Sequence, residues 1–195
     1  MALSTGLSRR AADTAIADGR VTVDGSVAIT GQDVSKHNRV VLDDTLLAPP
    51  PATQTIMLNK PVGYVCSRSG QGHKTIYDLL PAELHHLKPV GRLDKDSSGL
   101  LLLTNDGELA QKLTHPSFQK EKIYQIELDR PLLPPDFRRL SAGVSLADGM
   151  SKLQIRSVRD ATYEVHLYEG RNRQIRRTFA VLGYTVARLH RTQFG

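Results

Sequence analysis

The sequence predicts an α+β fold: a mixed, largely antiparallel sheet flanked by helices, preceded by a small N-terminal α/β module. Three observations lead there. Strand-length apolar or alternating runs outnumber helical stretches and do not alternate with them regularly, which argues against a wound parallel sheet. Pro49-Pro50-Pro51 breaks the chain once, and three prolines in a row continue neither helix nor strand. The 195 residues, 39% of them hydrophobic, supply a core for one full domain and a small appendage.

The first module is expected over residues 1–48. Ser8 caps a helix that runs to Asp18, and Gly19 is its left-handed stop. Residues 21–23 and 27–29 flank Asp24-Gly25, a hairpin-type turn. Residues 49–54 form a stiff Pro-rich linker. The larger domain, 55–195, opens on a strand at 55–59, closed by Lys60-Pro61, and a second at 64–67. Residues 76–80 form a short helix ended by Pro81. The unbroken run Leu100-Leu101-Leu102-Leu103 reads as a strand buried on both faces. Asp106-Gly107 leads into a helix at 108–114, stopped by His115-Pro116. Strands follow at 122–128, 153–158 and 162–167, helices at 135–141 and 173–182, and a last strand at 185–189.

Net charge is +6, which favours a polyanionic partner. Residues 1–55 hold five Lys/Arg against six Asp, whereas the remainder holds 21 against 14 Asp/Glu. The excess therefore belongs to the larger domain, and six arginines crowd into residues 171–191 with Glu169 at their border. A solvated face also looks like this, so charge alone leaves both readings open. No apolar run approaches the roughly 20 residues of a membrane span. A lone Cys66 excludes a disulfide framework, and the first residues carry neither a signal core nor an acid-free transit segment. A cytoplasmic protein without membrane partners is expected.

Read as a helix, residues 173–182 turn Ile175, Phe179 and Leu182 toward the core and Arg173 and Arg177 toward RNA phosphates or water. Arg176 lies at the apolar edge, where it either snorkels to solvent or pairs with a carboxylate. Asp94 is the partner proposed for it. It stands in a Gly-flanked loop, Gly91 to Gly99, where acids serve either chemistry or turn formation; Asp96 suits the turn. Tyr124 shares a strand face with Ile126 and Leu128, so it either packs in the core or offers its ring to a nucleobase. The seven histidines are scattered and make no metal signature.

Taken in order, Leu58-Asn59-Lys60-Pro61-Val62-Gly63-Tyr64-Val65, Gly91-Arg92-Leu93-Asp94, Ser98 to Gly107, Lys122-Ile123-Tyr124 and Glu169 to Arg177 closely resemble the RsuA family of ribosomal-RNA pseudouridine synthases. The resemblance covers residues 55–195. Residues 1–48 look like the small RNA-binding module named after ribosomal protein S-four. The resemblance implies a pseudouridine synthase fold and the cofactor-free, metal-free isomerisation of a uridine in ribosomal RNA. It implies that Asp94 is the catalytic aspartate, Arg176 its salt-bridge partner and Tyr124 the platform for the uracil. The expected RNA contacts are Arg92, Lys122, Arg171, Asn172, Arg173, Gln174 and Arg177, with Arg9 and Arg10 from the first module. The partner implied is a stem-loop or bulge of ribosomal RNA, free or in an assembly intermediate, bound by a monomer.

Two departures accompany the match. Family members usually begin the first module with a further turn of helix and generally continue past the position of Phe194-Gly195 with another strand. Two rival readings fit less well. A non-catalytic RNA-binding or ribosome-assembly protein on the same scaffold is disfavoured by Asp94, Tyr124 and Arg176 all standing in their motifs. A metal-dependent nuclease fails because the acids are scattered.

Overall fold

The computed structural model describes residues 1–35 and 37–195, which fold as two compact units, Met1–Thr53 and Gln54–Gly195. In the first unit a four-residue helix, α1 (Ala2–Thr5), precedes α2 (Arg9–Ala17). Ser8 Oγ caps α2 by accepting from Ala11 N at 3.1 Å. Strands β1 (Val21–Val23), β2 (Ser26–Val27), β3 (Val40–Leu42) and β4 (Thr45–Leu46) form an antiparallel sheet in the order β2-β1-β3-β4. Ala15 packs with Val21, Val23 and Ala28 as its small core. Asp24 and Gly25 both have positive φ, 51° and 86°, as a tight two-residue hairpin requires. Asp43 and Asp44 do the same in a hairpin that the sequence reading missed. The strand expected at 27–29 stops at Val27, because Ile29 N donates to Gln32 Oε1 at 3.2 Å instead of to a neighbouring strand.

The second unit runs β5 (Thr55–Lys60), β6 (Lys88–Pro89), β7 (Ser98–Thr104), α3 (Gly107–Thr114), β8 (Lys122–Leu128), α4 (Pro134–Ala142), β9 (Val144–Leu146), β10 (Gly149–Ser151), β11 (Gln154–Arg159), β12 (Thr162–Leu167), α5 (Gln174–Val181) and β13 (Val186–Phe194). The main sheet has the order β11-β12-β8-β13-β7-β5, with β6 added on β7. Its β13–β7 pair is parallel and the other pairings are antiparallel, so the sheet is mixed and largely antiparallel. Leu101, Leu103, Ile126, Val165 and Phe179 lie within one buried core.

Several expectations need correction. The 64–67 segment is not a strand; Val65 makes a single bridge to Thr75. The short helix expected at 76–80 is a 3-10 helix and stops one residue earlier, at Leu79, capped reciprocally by Thr75 and Asp78. The four leucines of β7 are not buried alike: Leu101 and Leu103 are fully enclosed, whereas Leu100 and Leu102 are half-buried, as alternation on a pleated strand dictates. The last strand does not end at Leu189 but continues to Phe194 and occupies the middle of the sheet.

Candidate active site

Asp94 stands on the loop that enters β7, its side chain 32% exposed. Three anchors, from the end of β5 and the segment after it, hold that loop. Lys60 shares the inward face of β5 with Ile56 and Leu58 and is completely buried. Its Nζ donates to Pro61 O at 3.0 Å, Asp94 O at 3.0 Å and Ser97 O at 2.7 Å, so all three ammonium protons serve backbone carbonyls. Burial pushes this ammonium down from its ordinary value. Cys66 Sγ donates to Leu93 O at 3.3 Å and accepts from Leu93 N at 3.4 Å, and burial pushes the thiol up. Gly63 N donates to Lys95 O at 2.7 Å. Ser97 N closes the turn on Asp94 O at 3.1 Å.

Beyond the loop, β7 and β13 approach unusually closely. A Cβ on Gly99 would fall 2.2 Å from Arg191 O and 2.5 Å from Arg191 N, and the Gly99 φ of +107° excludes other residues as well. This contact sets Arg191 between Gly99 of β7 and Tyr124 of β8.

The arginines around α5 have separate duties. Arg173 caps the helix in the left-handed region, φ 47°, and grips Asp96 through two bonds of 2.9 Å. The same guanidinium stands 3.6 Å from Asp94 Oδ2. Its hydrogen bonds hold the Asp96 carboxyl below the usual carboxylate range. The expected Arg176–Asp94 pair is therefore corrected. Arg176 does lie at the core edge, 12% exposed, but donates to Val186 O at 2.6 Å and Asp96 O at 2.8 Å, with Nε 3.4 Å from Asp96 Oδ2. Arg173, expected to face RNA or water, is the arginine beside Asp94.

Arg171 and Arg177 are also engaged internally. Arg177 forms a bidentate pair with Asp148 at 3.0 and 2.7 Å. Arg171 reaches Asp148, Gly149 O, Met150 O and Glu169, pinning the turn between β9 and β10. Gln174, expected at the RNA, is 2% exposed and donates to Ser151 Oγ at 3.0 Å and to Glu169.

These elements line one cleft of about 1020 Å³. Asp94 and Glu169 are the acids that face it, amid Arg92, Lys95, Lys122, Arg173 and other cations. Tyr124, 8% exposed, contributes an aromatic wall, and Asn172 lies on the rim. Arg9 and Arg10 are exposed at the start of α2 in the first unit. Among the described residues, no three His, Cys, Asp or Glu side chains come together as a metal site, and no helix is long and apolar enough to cross a membrane.

Sequence reasoning missed Lys60, Cys66, Asp96 and Arg191 as parts of this site. A signal existed for Lys60: it occupies the core-facing phase of an alternating strand, where a lysine requires a reason.

Comparison with known proteins adds the family. The model for the RNA pseudouridylate synthase family matches residues 54–181, from the start of the second unit to the end of α5. The chain is 38% identical to the ribosomal large subunit pseudouridine synthase B of Pseudomonas aeruginosa, over 96% of this chain and 52% of that protein. It is 37% identical to the protein of the same name from Vibrio cholerae, over 96% of this chain and 62% of the relative. The chain thus spans less than two thirds of the length of either. An RNA pseudouridine synthase of Aquifex aeolicus, described as uncharacterized, is 36% identical, with 96% and 79% covered. A crystal structure of a pseudouridylate synthase superposes with a TM-score of 0.70 at 32% identity, covering 100% of this chain and 86% of that one. The motifs shared with RsuA-type enzymes, the match along nearly the whole clefted unit and the common fold have one reading: the chain belongs to the RNA pseudouridylate synthase family.

Proposed function

We propose that this protein isomerises a specific uridine of ribosomal RNA to pseudouridine, with Asp94 as the catalytic carboxylate. One observation carries the reading: an aspartate on a triply anchored loop faces a cleft whose charged lining is mostly Lys and Arg, with Glu169 as the other acid. The bond between ribose C1′ and N1 of uracil breaks, the base turns, and C1′ bonds to C5. C5 loses a proton and N1 gains one, so atoms and electrons balance without an external donor. A carboxylate serves this chemistry by attacking the ribose, adding to the base or removing a ribose proton; each role uses the ionised acid.

The target base has to leave its stack to reach Asp94, which favours a stem-loop or bulge as substrate. Tyr124 offers the turning base a flat, apolar face. Arg92, Lys122 and Asn172 are the expected RNA contacts on the cleft, while Arg173 and Arg176 act through Asp96 and the Asp94 loop. The exposed Arg9 and Arg10 suit residues 1–48 to a second RNA contact in a cytoplasmic monomer. The relatives' names favour the RNA of the large ribosomal subunit.

Asp94→Asn is the test. Large-subunit RNA from cells lacking the protein, incubated with the variant, should gain no pseudouridine while binding stays within a few-fold of the parent. Product formation at a rate near the parent's would remove Asp94 from the mechanism.

A further inference from the structure

One side of the cleft holds a charge arrangement that the Asp94 centre does not use. Arg191 is 2% exposed, set directly across from Tyr124 in the β13–β8 register. Its Nε donates to Leu100 O at 2.7 Å, and its guanidinium lies 4.6 Å from the centre of the Phe194 ring. Its Nη2 is buried and has no hydrogen-bond partner. Lys122 lies two residues before Tyr124 on the same face of β8 and brings Nζ to 5.6 Å from that same ring. Lys122 Nζ donates to Lys120 O at 3.0 Å. Among the described residues the ion pairs on this cleft go to Arg171 and Arg173, and neither Lys122 nor Arg191 has a carboxylate partner.

Two cations gathered on one aromatic ring in a partly desolvated wall repel each other, and a buried N–H without an acceptor adds to the cost. Burial and the nearby Arg191 push the Lys122 ammonium down from its ordinary value, so the two groups sense one another. An uncharged acceptor such as a base carbonyl would satisfy Nη2 and leave the repulsion in place. A phosphate relieves both at once, since its oxygens accept from a guanidinium and an ammonium together.

We propose that Arg191 and Lys122 form a phosphate subsite of the cleft, which takes a backbone phosphate of the RNA strand beside the nucleotide presented to Asp94. The proposal rests on the reading of the cleft as an RNA site, and its test does not depend on Asp94 chemistry. The Phe194 ring carries both cations, and Gly99 lets Arg191 sit against β7.

Binding of a short fluorescein-labelled oligouridylate to the full chain, followed by anisotropy across a KCl series, provides the test. Each phosphate contact to a single strand contributes about 0.7 to the salt slope. Lys122→Gln and Arg191→Gln should each flatten the slope measurably, by up to about that amount, and weaken binding several-fold at low salt. Arg191→Lys should keep the slope and lose part of the affinity. Arg159→Gln, on the exposed edge strand β11, should leave both unchanged.

Parent slopes in both glutamine variants, with native circular dichroism, would overturn the subsite. So would weakened binding at an unchanged slope, which marks an uncharged contact, or an equal flattening in Arg159→Gln, which marks bulk charge. If Arg191→Gln does not fold, Lys122→Gln decides. Pseudouridine formation by the parent protein is scored separately on large-subunit RNA. Product with unchanged slopes overturns the subsite alone, and flattened slopes without product overturn the isomerase reading alone.

Discussion

Arg173 holds Asp96 with both terminal nitrogens at 2.9 Å and stands 3.6 Å from Asp94. A two-point guanidinium–carboxylate contact is directional and stronger than a single approach. Asp96 therefore fixes how near Arg173 comes to Asp94, and through Arg176 it also ties the loop to α5. In Asp96→Asn the two-point ionic grip is lost and Arg173 is free to close on Asp94. We expect turnover to fall by up to about 10²-fold, the scale of a small misplacement of a reacting group, with KM for RNA little changed. Asp96→Glu should restore part of the rate. A parent-like turnover in Asp96→Asn would show that Asp94 needs no such restraint.

Arg171 and Arg177 converge on Asp148, so their first effect should be on stability. Arg171 is 20% exposed and contacts three consecutive backbone carbonyls, at 148, 149 and 150. Losing bonds to a charged donor in a largely buried setting costs about 1–3 kcal/mol. Arg171→Ala should therefore lower the urea midpoint by that equivalent while retaining most RNA affinity at temperatures where it is folded. A stable variant with grossly weakened RNA binding would return Arg171 to direct RNA contact.

Strands 122–128 and 162–167 could be read from the sequence to the residue, because alternating Ile, Tyr and Val side chains meet a one-sided core there. The 64–67 run, Tyr64-Val65-Cys66-Ser67, also has strand-forming residues, yet Cys66 is committed to Leu93 and only Val65 bridges. The end of β13 was hidden because His190-Arg191-Thr192-Gln193 is polar. Arg191 is nevertheless buried there, its charge accommodated by Leu100 O and the Phe194 ring. The β9–β10 hairpin does carry a turn signal in the sequence, Asp148-Gly149. Helical phase correctly set Arg176 at the core edge. Which carboxylate meets it depends on a loop 80 residues away, and periodicity within one helix carries no such information.

His166 lies between two acids: Nδ1 is 2.9 Å from Glu121 Oε1 and Nε2 is 3.2 Å from Glu164 Oε1. Both ring nitrogens can donate only in the imidazolium, and the bond to Glu121 leads in raising the His166 pKa above its ordinary value of about 6.5. A raised folded-state pKa stabilises the fold fully below the unfolded value and ceases to do so as pH rises through the folded one. The His166→Asn variant should thus be less stable than the parent at pH 5.5, with the gap shrinking by pH 8. Paired urea titrations at the two values check this. A gap that is constant or widens with pH would mean the ring is neutral in the fold.

Lys60 offers the strongest stability test, because a completely buried ammonium here has carbonyls instead of a carboxylate as its hydrogen-bond partners. Methionine matches the aliphatic stem but donates to none of the three. A buried acceptor left unmatched, as Ser97 O would be, costs about 1–3 kcal/mol; Asp94 O keeps its bond from Ser97 N, and removal of a buried charge offsets part of the loss. Lys60→Met should therefore lose on the order of 3 kcal/mol, measured by urea unfolding. Two of the three carbonyls belong to Asp94 and Ser97, so the loop should loosen before the sheet does. Amide exchange should rise first at Ser97 and Gly63, whose N–H groups bond within and onto that loop, while Leu101 and Ile126 in the core stay protected. Uniform loss of protection across loop and core would make Lys60 a support of the whole sheet. Parent-like stability would mean that water replaces the ammonium among the three carbonyls at little cost.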